Sequence, residues 1–208
     1  MNTTPDRKRT SEILQAIADG CGEDNITMKQ FTNQMGDRAF ALVILVFSLP
    51  NSLPIPGIPG FSTITGLPIL FIGFQMLMRR EVFWLPQWIS KKEFSGASLK
   101  KVLNYAIPWV IKMEKYLKPR WNILLCPLGE CVIGFVIVAL TCILVLPIPG
   151  GNFLPGLSIT ILALSFLEKD GLVTAFGLAF ATASFVFMVG LVKLVIVQIV
   201  GWISGMIA

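Results

Sequence analysis

Histidine is absent from all 208 residues, and cysteine occurs only at Cys21, Cys126, Cys131 and Cys142. Without histidine the chain lacks the side chain most used as a general base near neutral pH. The scattered cysteines form neither a zinc pattern nor a disulfide framework. Cys126 and Cys131, five apart, read as small apolar residues of a membrane helix. No nucleophile stands with a base beside it, so an enzyme is the least expected class, and no metal or cofactor is expected. Charge is scarce as well: 14% of residues are charged and 54% are hydrophobic. That balance points to an integral membrane protein rather than to a soluble all-helical domain with an unusually greasy core, and the run from Leu172 to Val192 holds no charge at all. The first 30 residues lack an apolar core, so no cleavable signal peptide is expected and insertion uses the first internal apolar run.

The net charge of +5 has a local origin. Ten of the seventeen Lys and Arg lie between Arg79 and Arg120, against three acids. Membrane topology explains this better than nucleic-acid binding, because short basic loops stay cytoplasmic and basic residues favour anionic lipid heads. No nucleic-acid partner is expected. The N-terminus is placed in the cytoplasm.

One motif recurs. Leu53-Pro54-Ile55-Pro56-Gly57 returns 93 positions later as Leu146-Pro147-Ile148-Pro149-Gly150. The same shift lays Gly36 on Gly129, Asp37 on Glu130 and Gln75 on Glu168. Paired prolines cannot donate backbone hydrogen bonds and disfavour helix at the residue before them, so an arriving helix stops there. Gly57 and Gly150 then allow a sharp turn. The fold class is therefore all-α, a polytopic helical membrane protein with two helix-break-helix internal repeats whose breaks are Pro54, Pro56, Gly57, Pro147, Pro149 and Gly150.

The expected order is cytosolic N-terminal helices over 1–38, a first membrane repeat over 39–78, a basic interfacial segment over 79–120, a second repeat over 121–171, and a C-terminal transmembrane helix or helices over 172–208. Thr10 or Ser11 caps a short helix ending near Gly20. Thr27, with Gln30 three residues on, opens a helix that runs through Met35 into Ala39–Leu49. The apolar segments are short, and the 15 residues from Phe153 to Leu167 would reach only about 22 Å. Such paired short segments read as re-entrant or discontinuous helices; ordinary hairpins with proline-rich turns stay open. No segment between 79 and 121 can cross, so the repeats are expected to start from the same side. Leu99–Tyr116 is amphipathic and bends at Pro108. Over 172–208 the chain either crosses once and then follows the surface, or breaks near Gly177 or Gly190.

These marks resemble the bacterial ExoD family of membrane proteins, named for exopolysaccharide synthesis. The resemblance rests on Leu49-Pro50-Asn51, Leu53 to Gly57, Pro59 to Thr63, Gly66-Leu67-Pro68, Gln75 and Trp84-Leu85-Pro86. Lys118-Pro119-Arg120, Leu146 to Pro149, Gly151-Asn152, Leu154-Pro155 and Leu167 to Gly171 continue it across about residues 10 to 190. Cys131 departs from it, because the family is expected to favour arginine after the acid. The resemblance implies a tie to surface polysaccharide without implying a glycosyltransferase.

Polar side chains in apolar segments should face protein or water. The candidate binding set is Asn51, Ser62, Thr63, Thr65, Gln75 and Arg79 in the first half, with Asn152, Ser158, Thr160, Glu168 and Asp170 in the second. If the breaks dip into the membrane, the helices from Phe61 and Phe153 aim their amides at them, and Asn51, Asn152, Ser62 and Thr63 line the space. Ser62 reads more simply as an N-cap and Glu168-Lys169-Asp170 as a solvated helix end, while Asn152 reads equally as a turn residue. Two functions follow. One is transporter- or channel-like handling of a small ion, solute or lipid headgroup between the repeats. The other is a non-transporting accessory or scaffold of envelope polysaccharide assembly. Membrane lipids are the expected partners, with an ion, a solute or a lipid-linked substrate for the first function; a homo-oligomer stays open.

Overall fold

The computed structural model describes residues 9–20, 26–53, 60–79, 84, 86, 90, 93–119, 122–146 and 151–207. Eight α-helices carry the described chain: α1 Thr10–Gly20, α2 Met28–Met35, α3 Arg38–Ser48, α4 Phe61–Leu77, α5 Gly96–Tyr116, α6 Pro127–Leu144, α7 Phe153–Glu168 and α8 Gly171–Ile207. A two-residue antiparallel pairing, β1 Ile26–Thr27 with β2 Glu93–Phe94, is the whole of the described extended structure. The fold is all-α. Among the described residues, two helices are long and apolar enough to cross a membrane, α6 and the Gly171–Gln198 part of α8.

Local chemistry sets the helix ends. The Thr27 hydroxyl accepts from the Gln30 amide while the Gln30 side chain accepts from the Thr27 amide, the expected capping box. The helix does not run on into Ala39. It stops at Met35, where Gly36 takes φ 56°, and α3 starts afresh at Arg38. Gly36, with φ 56° and ψ −135°, takes a backbone conformation that glycine adopts far more readily than other residues, so the expectation of one continuous helix is corrected there. Gly60, at φ 86°, is the N-cap of α4, so Ser62 is not. Helix α5 runs through Pro108, and α8 continues for 37 residues past Gly177 and Gly190. All six break prolines and glycines lie outside the described residues.

Helices α3, α4, α6 and α7 form the central bundle, with α8 laid against α7 and α6. The main seams join α4 to α6 and α3 to α7, each pairing the second helix of one half with the first helix of the other. Gly73 and Gly134 bring α4 and α6 together: a Cβ at Gly73 would lie 2.8 Å from Val138 Cγ2, and one at Gly134 2.9 Å from Met76 Cβ. Only the missing side chain permits that approach. The centre is filled by Ile44, Ile69, Ile137, Leu140, Ile159 and Leu162, none more than 1% exposed.

Contacts along these seams fix direction. Asn51, after α3, meets Gly156 near the start of α7, while Asp37, before α3, meets Lys169 just after α7. Thr63 near the start of α4 donates to the Val145 carbonyl at the end of α6. Helices α3 and α6 thus run the same way, and the residues flanking both breaks lie at one end of the bundle. At the opposite end α1 packs on the inner face of α5, through Leu14, Ile17, Leu103 and Ile107. The outer face of α5 exposes Val102, Tyr105, Trp109 and Tyr116.

Candidate functional site

The structure divides the expected polar set between the two ends of the bundle. Asn51, Ser62, Thr63, Thr65, Asn152, Ser158 and Thr160 lie toward the break end; Gln75, Arg79, Glu168 and Asp170 lie toward the other. A single pocket holding all of them is therefore not what the fold builds. The reason is helical reach: the 16 residues from Phe153 to Glu168 span about 24 Å.

At the break end the polar atoms bond one another and their own helices. Asn51 Nδ2 donates to Thr65 Oγ1 at 2.8 Å and to the Phe47 carbonyl at 3.0 Å. Thr160 Oγ1 donates to Ser48 Oγ at 2.9 Å, and Ser158 Oγ to the Leu154 carbonyl at 2.8 Å. Gly156 lies so close that an added Cβ would stand 2.7 Å from the Asn51 carbonyl oxygen. Hydroxyls satisfied this way hold helices together rather than await a ligand. Asn152 differs, since its Oδ1 is buried without a hydrogen-bond partner among the described residues.

The other end is charged and layered. Helix α1 begins on a carboxylate: Ser11 donates its amide to Glu114 Oε1 and its hydroxyl to Glu114 Oε2, both at 2.7 Å. A carboxylate is favoured at a helix N-terminus, where free amides point outward. Glu168 faces Thr10 here, with Glu114, Arg38 and Arg9 around it. Thr10 Oγ1 and Glu168 Oε1 are both buried without a hydrogen-bond partner among the described residues. Lys169, in the left-handed conformation at φ 53°, places its ammonium 3.6 Å from Asp37, with Glu130 facing both.

Asp170 serves two elements. Its Oδ1 accepts from the amides of Leu172 and Val173, which caps α8, and its Oδ2 accepts from the Lys118 amide at 3.0 Å. It is 3% exposed, so the solvated-end reading fails for this residue. Gln75 Oε1 accepts from the Trp84 amide at 2.8 Å, and Arg79 Nε reaches the Pro127 carbonyl at 3.5 Å. Cys131 directs its thiol at the Leu77 carbonyl, 3.4 Å away. A thiol in that place ties α6 to the end of α4 without a charge.

Sequence reasoning missed Glu114 and Ser48, and read Ser11 only as a candidate helix cap. Glu114 carried a signal, as one of three acids in a segment of ten bases.

An all-α bundle with two helices able to cross a membrane, a closed apolar centre and one charged, capped end is the class defined by these features. The chain belongs to the ExoD family: the family model described as "Exopolysaccharide synthesis, ExoD" matches residues 10–190. Among curated relatives, it is 30% identical over 185 residues to "Protein ExoD" of Rhizobium meliloti, covering 87% of this chain and 76% of that protein. It is also 32% identical over 158 residues to "Uncharacterized protein slr1875" of Synechocystis sp., covering 75% and 74% respectively. No solved structure matches.

Proposed function

We propose that this chain is a multi-pass protein of the bacterial inner membrane, with its N-terminus cytoplasmic, that serves exopolysaccharide synthesis as a non-transporting accessory. In this reading the bundle is the anchor and the charged end, covered by α1 and α5, is the docking face. The observation that carries it is the packing of the polar side chains. The charged and amide side chains of the set are shared between opposite ends, and among the described residues the middle of the bundle is filled chiefly by Ile44, Ile69, Ile137, Leu140, Ile159 and Leu162. Helix α5 supports the same reading, because its outward Tyr105, Trp109 and Tyr116 among Lys100, Lys101, Lys112 and Lys115 suit a membrane surface beside a partner.

Handling of a small ion, solute or lipid headgroup is the second reading. It is favoured by the buried Asn152 Oδ1, which has no hydrogen-bond partner among the described residues and which a bound group would satisfy. Reconstitution into liposomes separates the two. Flux that disappears in Asn152→Ala and Glu168→Gln supports transport. Unaltered liposome permeability, with Glu114→Ala losing both co-purifying envelope proteins and polysaccharide output, supports the accessory.

A further inference from the structure

At about 100° per residue, α5 divides lengthwise into three sectors. Leu103, Ile107 and Glu114 form the first and meet α1, Glu114 accepting from Ser11 at both carboxylate oxygens. Val102, Tyr105, Trp109 and Tyr116 form the second, a stripe about 60° wide whose residues are 57% to 85% exposed. Lys100, Lys101, Lys112 and Lys115 form the third, next to that stripe, and all four are exposed. We propose that the aromatic stripe of α5 beds at the headgroup boundary of an anionic lipid leaflet, with the lysine sector paired to lipid phosphates. The inference rests on the membrane reading above and deepens it by assigning the lipid class and the face of α5 that meets it.

Charge and place carry the proposal. From Gly96 to Lys118 there are five lysines and one acid. That acid, Glu114, is engaged by α1, so the charge α5 turns outward is all positive. Tyr and Trp rings sit at headgroup depth, and each lysine near an anionic surface strengthens binding about fivefold. Lys112 Nζ lies 5.6 Å from the centre of the Trp109 ring, which holds ring and ammonium together at the border of the two sectors. Place follows from Asp170, which accepts from the Lys118 amide and caps α8. The C-terminal end of α5 is thereby fixed where the apolar helix α8 begins. An acidic protein would satisfy the same charges, but the leaflet is the anionic surface already present where α8 enters it. Because α1 occupies the leucine and isoleucine side, the face left for lipid is amphipathic, which suits a surface contact better than deep insertion.

The test uses the full chain with its native cysteines replaced and a nitroxide attached at Val102→Cys, reconstituted into nanodiscs. In phosphatidylcholine containing phosphatidylglycerol the nitroxide should be shielded from a water-soluble nickel reagent. In phosphatidylcholine alone its exposure to nickel should rise about fivefold. Joint Lys100→Gln, Lys101→Gln, Lys112→Gln and Lys115→Gln should raise it as far in the anionic discs, whereas arginine at the same four positions should keep the shielding. Equal exposure in the two lipids overturns the proposal. Equal shielding of a nitroxide at Gln15→Cys, on the exposed side of α1, overturns the assignment of the face. Shielding produced by poly-glutamate and not by phosphatidylglycerol makes the stripe a protein dock and overturns it too. Alkaline extraction of membranes keeps the premises apart. A chain released by alkali overturns the membrane reading itself, whereas a chain that resists alkali and leaves the Val102→Cys nitroxide open to nickel in anionic discs overturns only the lipid face.

Discussion

Gly156 and Asp170 show how single residues set this structure, the first by what it lacks and the second by what it accepts. Gly156→Val places two methyl groups against the Asn51 backbone, which cannot retreat as a flexible side chain could. A loss of about 1–3 kcal/mol is expected from such overpacking, measured as a lower thermal midpoint in detergent. Asp170→Ala removes the cap of α8 and the tie to Lys118. Loss of the cap alone costs about 1 kcal/mol, and faster amide exchange in the first turn of α8 should accompany it. The roles of these two residues differed in legibility. A carboxylate just before a long apolar helix is visible as a cap in sequence, whereas Gly156 becomes significant only when Asn51, 105 positions away, is laid against it.

Helices behave here as units with two kinds of edge. Helix α1 is held on α5 by apolar contacts along its length and by the Ser11–Glu114 hydrogen bonds at its start. Glu114→Ala should release the N-terminal turn, raising amide exchange across α1 about tenfold while leaving α4 and α7 unchanged. Helix α8 packs through a narrow stripe: Thr174, Gly177, Ala181, Ser184 and Met188 are buried, while Phe176, Val186 and Phe187 face outward. A leucine at Gly177 would push on Leu162, whose Cδ2 lies 2.9 Å from the added Cβ. Gly177→Leu should therefore detach α8 from α7, read as new protease cleavage along α8 with the four-helix bundle still folded. The unbroken 37 residues of α8 amount to about 55 Å. From sequence a break near Gly177 or Gly190 stayed open; the helix runs through both, and at Gly177 the missing side chain serves packing on Leu162 instead.

For the whole molecule the decisive feature is direction. Both breaks are flanked by residues at one end of the bundle, and the charged groups gather at the other. With native cysteines replaced, Leu53→Cys and Leu146→Cys, both at exposed positions, should label with impermeant thiol reagents from one side of intact cells or inverted vesicles. Lys115→Cys should label from the other. Labelling of the two break-side cysteines from opposite sides would contradict the common direction of α3 and α6.

The amino-acid sequence by itself determined the all-helical class, the apolar segments, the capping box at Thr27 and the family, because each depends on residue type and short spacing. It also supplied the polar residues that the functional reading uses. Tertiary structure alone decided how they are shared out. Asn51 and Thr160 are drawn into helix seams, Glu168 and Asp170 into a charged end with Glu114, and the centre is left to isoleucine and leucine. The cause is geometric: a side chain's neighbours along a helix follow from its number, but its neighbours across a seam follow from which backbones can touch, and that is set by glycines whose partners lie far away in the chain.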